Sequence, residues 1–220
     1  MLYGPRWTGT VTRIGVLYRM SPKRVLLGFP TATIFVTTRA ERHIAFEKVE
    51  AALGLVRDHA PVRFEQLKRD LACIFVFGER SAKGRYVQTE RICDLTLSHI
   101  VAPETSPAHI AATIVHEGQH ARLFRLGIDR PERERGPIER VCHRAARAFG
   151  RRLPDGQAIV RVYTAQMERD PHIYSPEGRL EAQIKSVYGD PFHPLASQFL
   201  EWFLRRRYRR ALARRSGAAQ

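Results

Sequence analysis

The sequence has few cysteines, which limits the kinds of fold that it can support. Its 220 residues contain three, Cys73, Cys93 and Cys142, and no two of them form a CxxC pair. An odd number without paired spacing argues against a disulfide framework and against a zinc knuckle built from thiolates. We therefore expect a protein of a reducing compartment, the cytoplasm.

Long hydrophobic runs are also missing. The longest uncharged stretch, Val25 to Thr38, has 14 residues and contains Gly28 and Pro30, whereas a membrane-spanning helix needs about 18 or more. No small-x-small cleavage site follows it, so a secretory signal is a poor fit. We expect no membrane span, with an uncleaved N-terminal anchor around Val25–Thr38 as the alternative.

Acidic residues are scarce relative to basic ones, 22 against 37, which gives a net charge of +15. The excess is concentrated in Arg205 to Arg215, with seven arginines and no acid, and in Ala121 to Arg152, with ten arginines and four acids. Such an excess of positive charge is typical of proteins that bind nucleic acid, an anionic membrane surface or acidic substrates. Because arginine outnumbers lysine 32 to 5, a GC-rich coding bias explains part of it equally well.

Hydrophobic periodicity predicts an α+β fold, in which a small mixed or antiparallel sheet packs on a helix and the C-terminal part is helical. The apolar content of 44% and the length suit a single domain with a real core. We predict one domain over residues 1–204, with its core at about 93–150, and a basic tail over 205–220. The predicted strands lie within Thr8–Tyr18, Val25–Val36, Leu71–Phe77 and Cys93–Leu97. The last of them is expected to have one solvent-exposed face. The predicted helices cover about 42–59, 106–127, 136–150, 156–169 and 195–213.

The helix over 106–127 has the clearest limits. Ser106 can cap it, Pro107 suits its first position, and Gly127 can supply the left-handed residue that ends it. In the next helix, opened by Gly136-Pro137, we expect a buried stripe on one face. Its members are Ile138, Val141, Cys142, Ala145 and Phe149.

Residues 116–120 read His-Glu-Gly-Gln-His, the pattern HExxH, inside the first of these helices. Two histidines four residues apart project from one helix face, one turn apart, so both imidazoles can bind one metal ion. Glu117 would lie beside the ion, where a carboxylate can accept a proton from an activated water. The alternative is that His116 and His120 are ordinary surface or core histidines and that Glu117 is a solvated charge.

A catalytic zinc ion commonly has three protein ligands and one open position. Glu139, separated from His120 by eighteen residues, opens the next predicted helix and can meet the histidines if that helix folds back. Glu132 and Glu134 are nearer, but they belong to an alternating Glu/Arg run that is typical of an exposed loop. We therefore predict one Zn²⁺ ion, held by His116, His120 and Glu139.

His143 lies one turn after Glu139 on the same face. It could be an alternative ligand, a partner of a ligand or a donor to a developing oxyanion. A solvated helix histidine explains it as well.

HExxH followed by eighteen residues and Glu139 resembles the gluzincin class of zincin metallopeptidases. The resemblance implies a zinc ion on His116, His120 and Glu139, Glu117 as general base, and a fold of edge strand, active-site helix and ligand-bearing helix. We expect the Cys93–Leu97 strand to supply the edge.

The resemblance covers Cys93 to Phe149, about a quarter of the chain. The G-x-M-E-N segment of aminopeptidases with this spacing is absent, so their exopeptidase mechanism is not carried over. His143 replaces the Asp that follows the ligand Glu by four residues in thermolysin-like enzymes. A further donor to the oxyanion is expected downstream, where Tyr163, His172 and Tyr174 lie.

The main hypothesis is a cytoplasmic zinc-dependent peptidase that acts on a peptide or protein substrate. Arg140, Arg144 and Arg147 would present a positive rim to an acidic peptide or form a solvated helix face. The alternative is a nucleic-acid or membrane-surface binding protein that uses Arg205–Arg215, its zinc site being structural or vestigial.

Overall fold

A computed structural model describes residues 17–18, 20–33, 37–77, 82–128 and 135–169, together with residues 174 and 178. The chain divides into two compact units, one formed by residues 1–130 and 137–168 and the other by 131–136 and 169–220. The sheet and the HExxH helix belong to the first unit. The tail 205–220 and the predicted helix over 195–213 lie outside the described residues, so the boundary at 204 stays a prediction.

Five short strands form one mixed sheet in the order β1-β2-β3-β5-β4. The pairs β1–β2 and β4–β5 are antiparallel, whereas β2–β3 and β3–β5 are parallel. Leu27 and Gly28, both with positive φ, make the two-residue turn between the first two strands. The strands are β1 (Lys23–Leu26), β2 (Phe29–Thr33), β3 (Cys73–Val76), β4 (Gly84–Val87) and β5 (Ile92–Leu95).

Six helices accompany the sheet in the described residues, and the α+β fold expected from the sequence is confirmed. They are α1 (Arg39–His59), α2 (Pro61–Asp70), α3 (Leu97–Val101), α4 (Pro107–Arg125), α5 (Arg135–Gly150) and α6 (Gln157–Glu168). Helix α1 begins three residues earlier than predicted, because Thr38 and Glu41 form a capping box with reciprocal hydrogen bonds of 3.1 and 2.8 Å. Sequence analysis did not predict α2, which is short.

The prediction for Cys93–Leu97 is wrong in two respects. The strand is Ile92–Leu95, it lies between β3 and β4, and all four of its residues are buried, so neither face is exposed to solvent. Asp94, expected on a wet face, is 2% exposed and accepts a hydrogen bond of 2.8 Å from Arg85 Nε of β4. Among the described strands β4, and not the Cys93–Leu97 segment, is therefore the edge on this side.

The proposed membrane anchor does not form a helix where it is described. Residues 25–33 contribute to β1, the turn and β2, in line with the β-prone character of Val25–Val36. Residues 1–16, including most of the predicted strand Thr8–Tyr18, lie outside the described residues. None of the described helices combines the length and the apolar character needed to cross a membrane.

Helix α4 is the centre of the core. It packs against α1, α2 and strand β4, and every residue from Ile110 to Ala121 is buried. Its predicted limits are confirmed: Ser106 caps the N-terminus, and Gly127, with φ +69°, follows the C-terminus. Gly118 faces α2 so closely that an added Cβ would overlap the Leu67 side chain.

An ion-pair cluster fixes the end of α4. The buried carboxylate of Asp70, at the end of α2, accepts hydrogen bonds from Arg125 Nε at 2.6 Å and from Arg69 Nε at 2.9 Å. Burial alone would raise the pKa of Asp70, but the hydrogen bonds from these two guanidinium groups outweigh it and lower the pKa. Arg91 also donates to the carbonyl oxygen of Asp70.

We expect Asp70→Asn to lower the free energy of unfolding at pH 7 by about 1–2 kcal/mol, because a buried carboxylate that accepts hydrogen bonds from two partly exposed arginines is lost. A carboxyl whose folded-state pKa is lowered contributes fully above its unfolded pKa of about 3.9, and the contribution is lost as the pH falls below that value. The difference in the free energy of unfolding between variant and wild type should therefore become smaller at acid pH. Urea unfolding at neutral and acid pH measures it.

Asp58→Asn is the matched control, since Asp58 pairs with Arg57 through side chains that are both more than half exposed. It should leave the free energy of unfolding almost unchanged. Equal effects of the two substitutions would contradict the role given to Asp70.

Candidate metal centre

The two histidines of the motif converge on one point. His116 and His120 project from the same face of α4, and their Nε2 atoms are 3.3 Å apart. Both side chains are buried, although an imidazole in a core needs polar partners. The structure thus brings together the pair that sequence spacing predicted.

Glu139 joins this pair from the first turns of α5. Its Oε2 atom lies 3.3 Å from His116 Nε2 and 3.6 Å from His120 Nε2. Helix α5 therefore folds back against α4, as the assignment of Glu139 required. Glu132 and Glu134, the other acids considered, lie outside the described residues.

The three donor atoms have the spacing of a metal-binding set. Ligands placed about 2.0 to 2.1 Å from a tetrahedral zinc ion are about 3.3 to 3.4 Å from one another. The observed separations of 3.3, 3.3 and 3.6 Å match this spacing. Two imidazole nitrogens and one carboxylate oxygen are also a donor set that suits zinc. The residues present therefore fit the ion.

Electrostatics favour the ionised form of Glu139. Burial alone would raise the pKa of this carboxyl, but hydrogen bonds from His116 and His120 outweigh burial and hold the pKa well below its usual range. Metal binding requires a deprotonated carboxylate. Glu139 is therefore in the form that can act as a ligand.

Cys142 is a neighbour of this set that sequence analysis did not consider as a ligand. Its Sγ and the ring nitrogens of His116 and His120 all lie within 4.8 Å of one another, and all three residues are buried. A signal was present in the sequence, because Cys142 follows Glu139 by three residues and so shares its helix face. Thiolate is a common zinc ligand, so Cys142 competes with Glu139 for the third position.

His143 is buried against the centre, so the alternative of a solvated helix histidine is wrong. Its ring centroid lies 4.8 Å from that of His116 and 5.7 Å from that of Tyr163. In the described part of the chain, the side chains grouped within ligand distance are those of His116, His120 and Cys142, together with Glu139. His143 thus lines the site beside the ligands.

Tyr163 of α6 lines the same site as His143. Its ring is nearly parallel to that of His116, with centroids 6.1 Å apart, and its hydroxyl is hydrogen-bonded to Thr113. Burial and the negative charge of Glu117 raise the pKa of Tyr163 well above its usual value, so the phenol keeps its proton. Tyr174 belongs to the other unit and His172 lies outside the described residues, so their roles stay predictions.

Glu117 is buried on the side of α4 that faces β5 and α6. Besides its effect on Tyr163, its charge acts on Cys93 of β5, whose pKa is raised well above normal, first by burial and then by Glu117. A carboxylate in such surroundings is not the solvated charge of the alternative interpretation.

The remaining predictions for α5 concern its outer face. Val141, expected in the buried stripe, is 37% exposed, because it lies two residues from Glu139 and so on the opposite side of the helix. Arg140 and Arg144 are exposed and Arg147 is half-buried. This exposure is compatible with both a positive rim and a solvated helix face, so the two interpretations stay open.

Comparisons with known proteins add no family to this description. No protein-family model matches the sequence, and neither a curated protein nor a solved structure matches it. The likeness to gluzincins therefore remains a hypothesis that rests on the residues of the motif and on the geometry of His116, His120 and Glu139.

Proposed function

We propose that the protein is a zinc-dependent peptidase. The observation that carries this proposal is the convergence of Glu139 Oε2 on the Nε2 atoms of His116 and His120, at 3.3 and 3.6 Å. Three protein ligands, two of them histidines and one a glutamate, are typical of catalytic rather than structural zinc sites. Glu117 stands next in sequence to the first ligand, as the general base of an HExxH peptidase does.

Zinc in this site would act as a Lewis acid toward the scissile carbonyl and the attacking water. Glu117 accepts the proton of that water and then transfers it to the leaving amine. The burial of Glu117 suits this task, because a carboxylate shielded from bulk solvent is a stronger base. Peptide hydrolysis then needs no further acid–base residue.

Tyr163 and His143 are the described side chains best placed to stabilise the oxyanion. Both rings lie against His116, so a carbonyl that reaches the metal site passes close to them. The phenol retains its proton, and it donates to developing negative charge once its hydrogen bond to Thr113 is exchanged for one to the oxyanion. We assign this role to Tyr163 first, since its donor is present throughout the neutral pH range.

The first test separates metal binding from turnover. His120→Ala should lose bound zinc, measured as metal per protein by elemental analysis, because two ligands hold the ion far less tightly than three. Glu117→Gln should keep the metal but lower the rate of peptide cleavage about 10²-fold or more, since a general base is lost.

His43→Ala is the control for this test, because His43 lies on the exposed side of α1 with 62% of its side chain accessible. It should change neither the metal content nor the rate. Wild-type protein that refolds without zinc and takes up none on reconstitution would refute the proposal.

A second test decides between Glu139 and Cys142 as third ligand. X-ray absorption at the zinc edge should show only nitrogen and oxygen neighbours in wild type, and Cys142→Ser should leave the spectrum unchanged. Glu139→Gln should weaken zinc binding about 10-fold or more, because the carboxylate charge is removed. A sulfur neighbour at about 2.3 Å in wild type would instead identify Cys142 as a ligand.

The alternative function, binding of nucleic acid or of an anionic membrane through Arg205–Arg215, stays a prediction because these residues lie outside the described part of the chain. It predicts salt-sensitive binding to duplex DNA or to anionic vesicles, lost on deletion of residues 205–220. Gel-shift and vesicle sedimentation assays at several salt concentrations measure it. Binding that survives the deletion would exclude the tail as the contact.

A further inference from the structure

Arg63 of α2 is held in one orientation next to the HExxH motif. Its Nη1 atom donates hydrogen bonds to Gln66 Oε1 at 3.2 Å and to Gln119 Oε1 at 2.5 Å. Gln119 is itself a buried residue of the motif, immediately before His120. The half-buried guanidinium group is thus fixed by two amide oxygens, neither of which neutralises its charge.

The opposite edge of this guanidinium group remains available. Arginine has five N–H donors, and the two hydrogens of Nη1 serve the two glutamines. In the part of the chain that the structure describes, Nε and Nη2 of Arg63 have no hydrogen-bond or ion-pair partner. These two atoms form the edge that binds a carboxylate or phosphate through two parallel hydrogen bonds.

Two further arginines are close enough to Arg63 for their charges to act on it. Arg122 follows Gln119 by one turn of α4 and so emerges beside the residue that Arg63 contacts. Arg152 lies just after the end of α5. Burial, followed by the positive charges of Arg122 and Arg152, lowers the pKa of Arg63. Arg63, Arg122 and Arg152 are called the arginine cluster below.

No described acidic residue balances the arginine cluster. The described ion pairs of arginine involve Arg57, Arg69, Arg85 and Arg125, and none involves a member of the cluster. The charges of Arg122 and Arg152 repel that of the half-buried Arg63, which disfavours the arrangement unless an anion joins it. An ordinary solvated helix face would instead keep its arginines apart and fully hydrated.

We propose that Arg63, Arg122 and Arg152 form a binding site for an oxyanion group, a carboxylate or a phosphate. Arg63 binds two oxygens of the group through Nε and Nη2, and Arg122 and Arg152 add charge. The site lies near the metal centre, because Arg63 is close enough to be affected by Cys142, whose sulfur lies within 4.8 Å of the ring nitrogens of His116 and His120. If the proposed function holds, the natural ligand is the terminal carboxylate of a peptide substrate.

Titration calorimetry with inorganic phosphate tests the site directly. We use chelator-treated full-length protein at low ionic strength, so that phosphate cannot bind through a metal. Wild type should bind phosphate. Arg122→Gln and Arg152→Gln should each weaken the binding about three- to fivefold, and Arg63→Lys about 10-fold or more, since lysine keeps the charge but loses the two-pronged edge.

Arg151→Gln is the matched control, because Arg151 is next to Arg152, is exposed like it and carries the same charge, whereas only Arg152 of the two acts on Arg63. It should leave phosphate affinity within about twofold of wild type. The thermal unfolding midpoint of every variant is measured alongside, so that a loss of affinity in a folded variant can be assigned to the site. Absence of phosphate binding to folded wild type, or equal weakening by Arg151→Gln and Arg152→Gln, would overturn the proposal.

A competition experiment identifies the source of the oxyanion. A blocked dipeptide with a free C-terminal carboxylate should displace phosphate, whereas the same dipeptide as its amide should not, if the site serves a peptide terminus. Phosphate binding that neither dipeptide displaces assigns the site to a phosphate group instead, and the oxyanion site itself is still supported.

This result is independent of the metal-content test. If wild type binds phosphate but no zinc, the peptidase proposal fails and the oxyanion site stands. If wild type binds zinc but no phosphate, the oxyanion site fails and the peptidase proposal stands.

Discussion

The burial of α4 on nearly every side is the constraint on which the site depends. A helix enclosed in this way must satisfy each polar side chain within the protein, because water cannot reach it. Close approach of its neighbours makes the enclosure possible: Gly118 admits Leu67 of α2, and at Gly84 of β4 any side chain would press on Thr113. The polar residues of the motif therefore have to be matched by residues of α2, α5 and α6.

Charge balance then explains why a divalent cation suits this core. Glu117 and Glu139 are both buried, and removing a carboxylate from water costs several kcal/mol even after the protein relaxes. Imidazoles in the neutral form that binds metals add no charge to offset two carboxylates. A dipositive ion at the point where three donor atoms converge offsets both charges and replaces the lost hydration.

Local signals account for what the sequence predicted well. Ser106, Pro107 and Gly127 fix the ends of α4 through short-range hydrogen bonds and backbone conformation, so its limits could be read without tertiary information. Glu139 was identified by spacing, but its distance from the histidines depended on α5 folding back, which no local signal gives. Edge strand β4 and helix α2 escaped prediction because they are short and their burial comes from distant partners such as β5 and α4.

Cys142 shows where the distinction between a catalytic and a structural site lies. If its thiolate and Glu139 both bound the ion with the two histidines, four protein ligands would fill a tetrahedral site and leave no position for water. Glu117 would then have no proton to accept. Cys142 packs with Leu123 and Ile138 in an apolar cluster and is fully buried, surroundings in which cysteine behaves as a small hydrophobic side chain. Glu139, in contrast, has a pKa lowered by the two imidazoles, whose Nε2 atoms lie 3.3 and 3.6 Å from its Oε2 atom. If the proposed zinc site exists, the carboxylate is therefore the better third ligand, and a thiol that packs rather than binds would leave the fourth position open for chemistry.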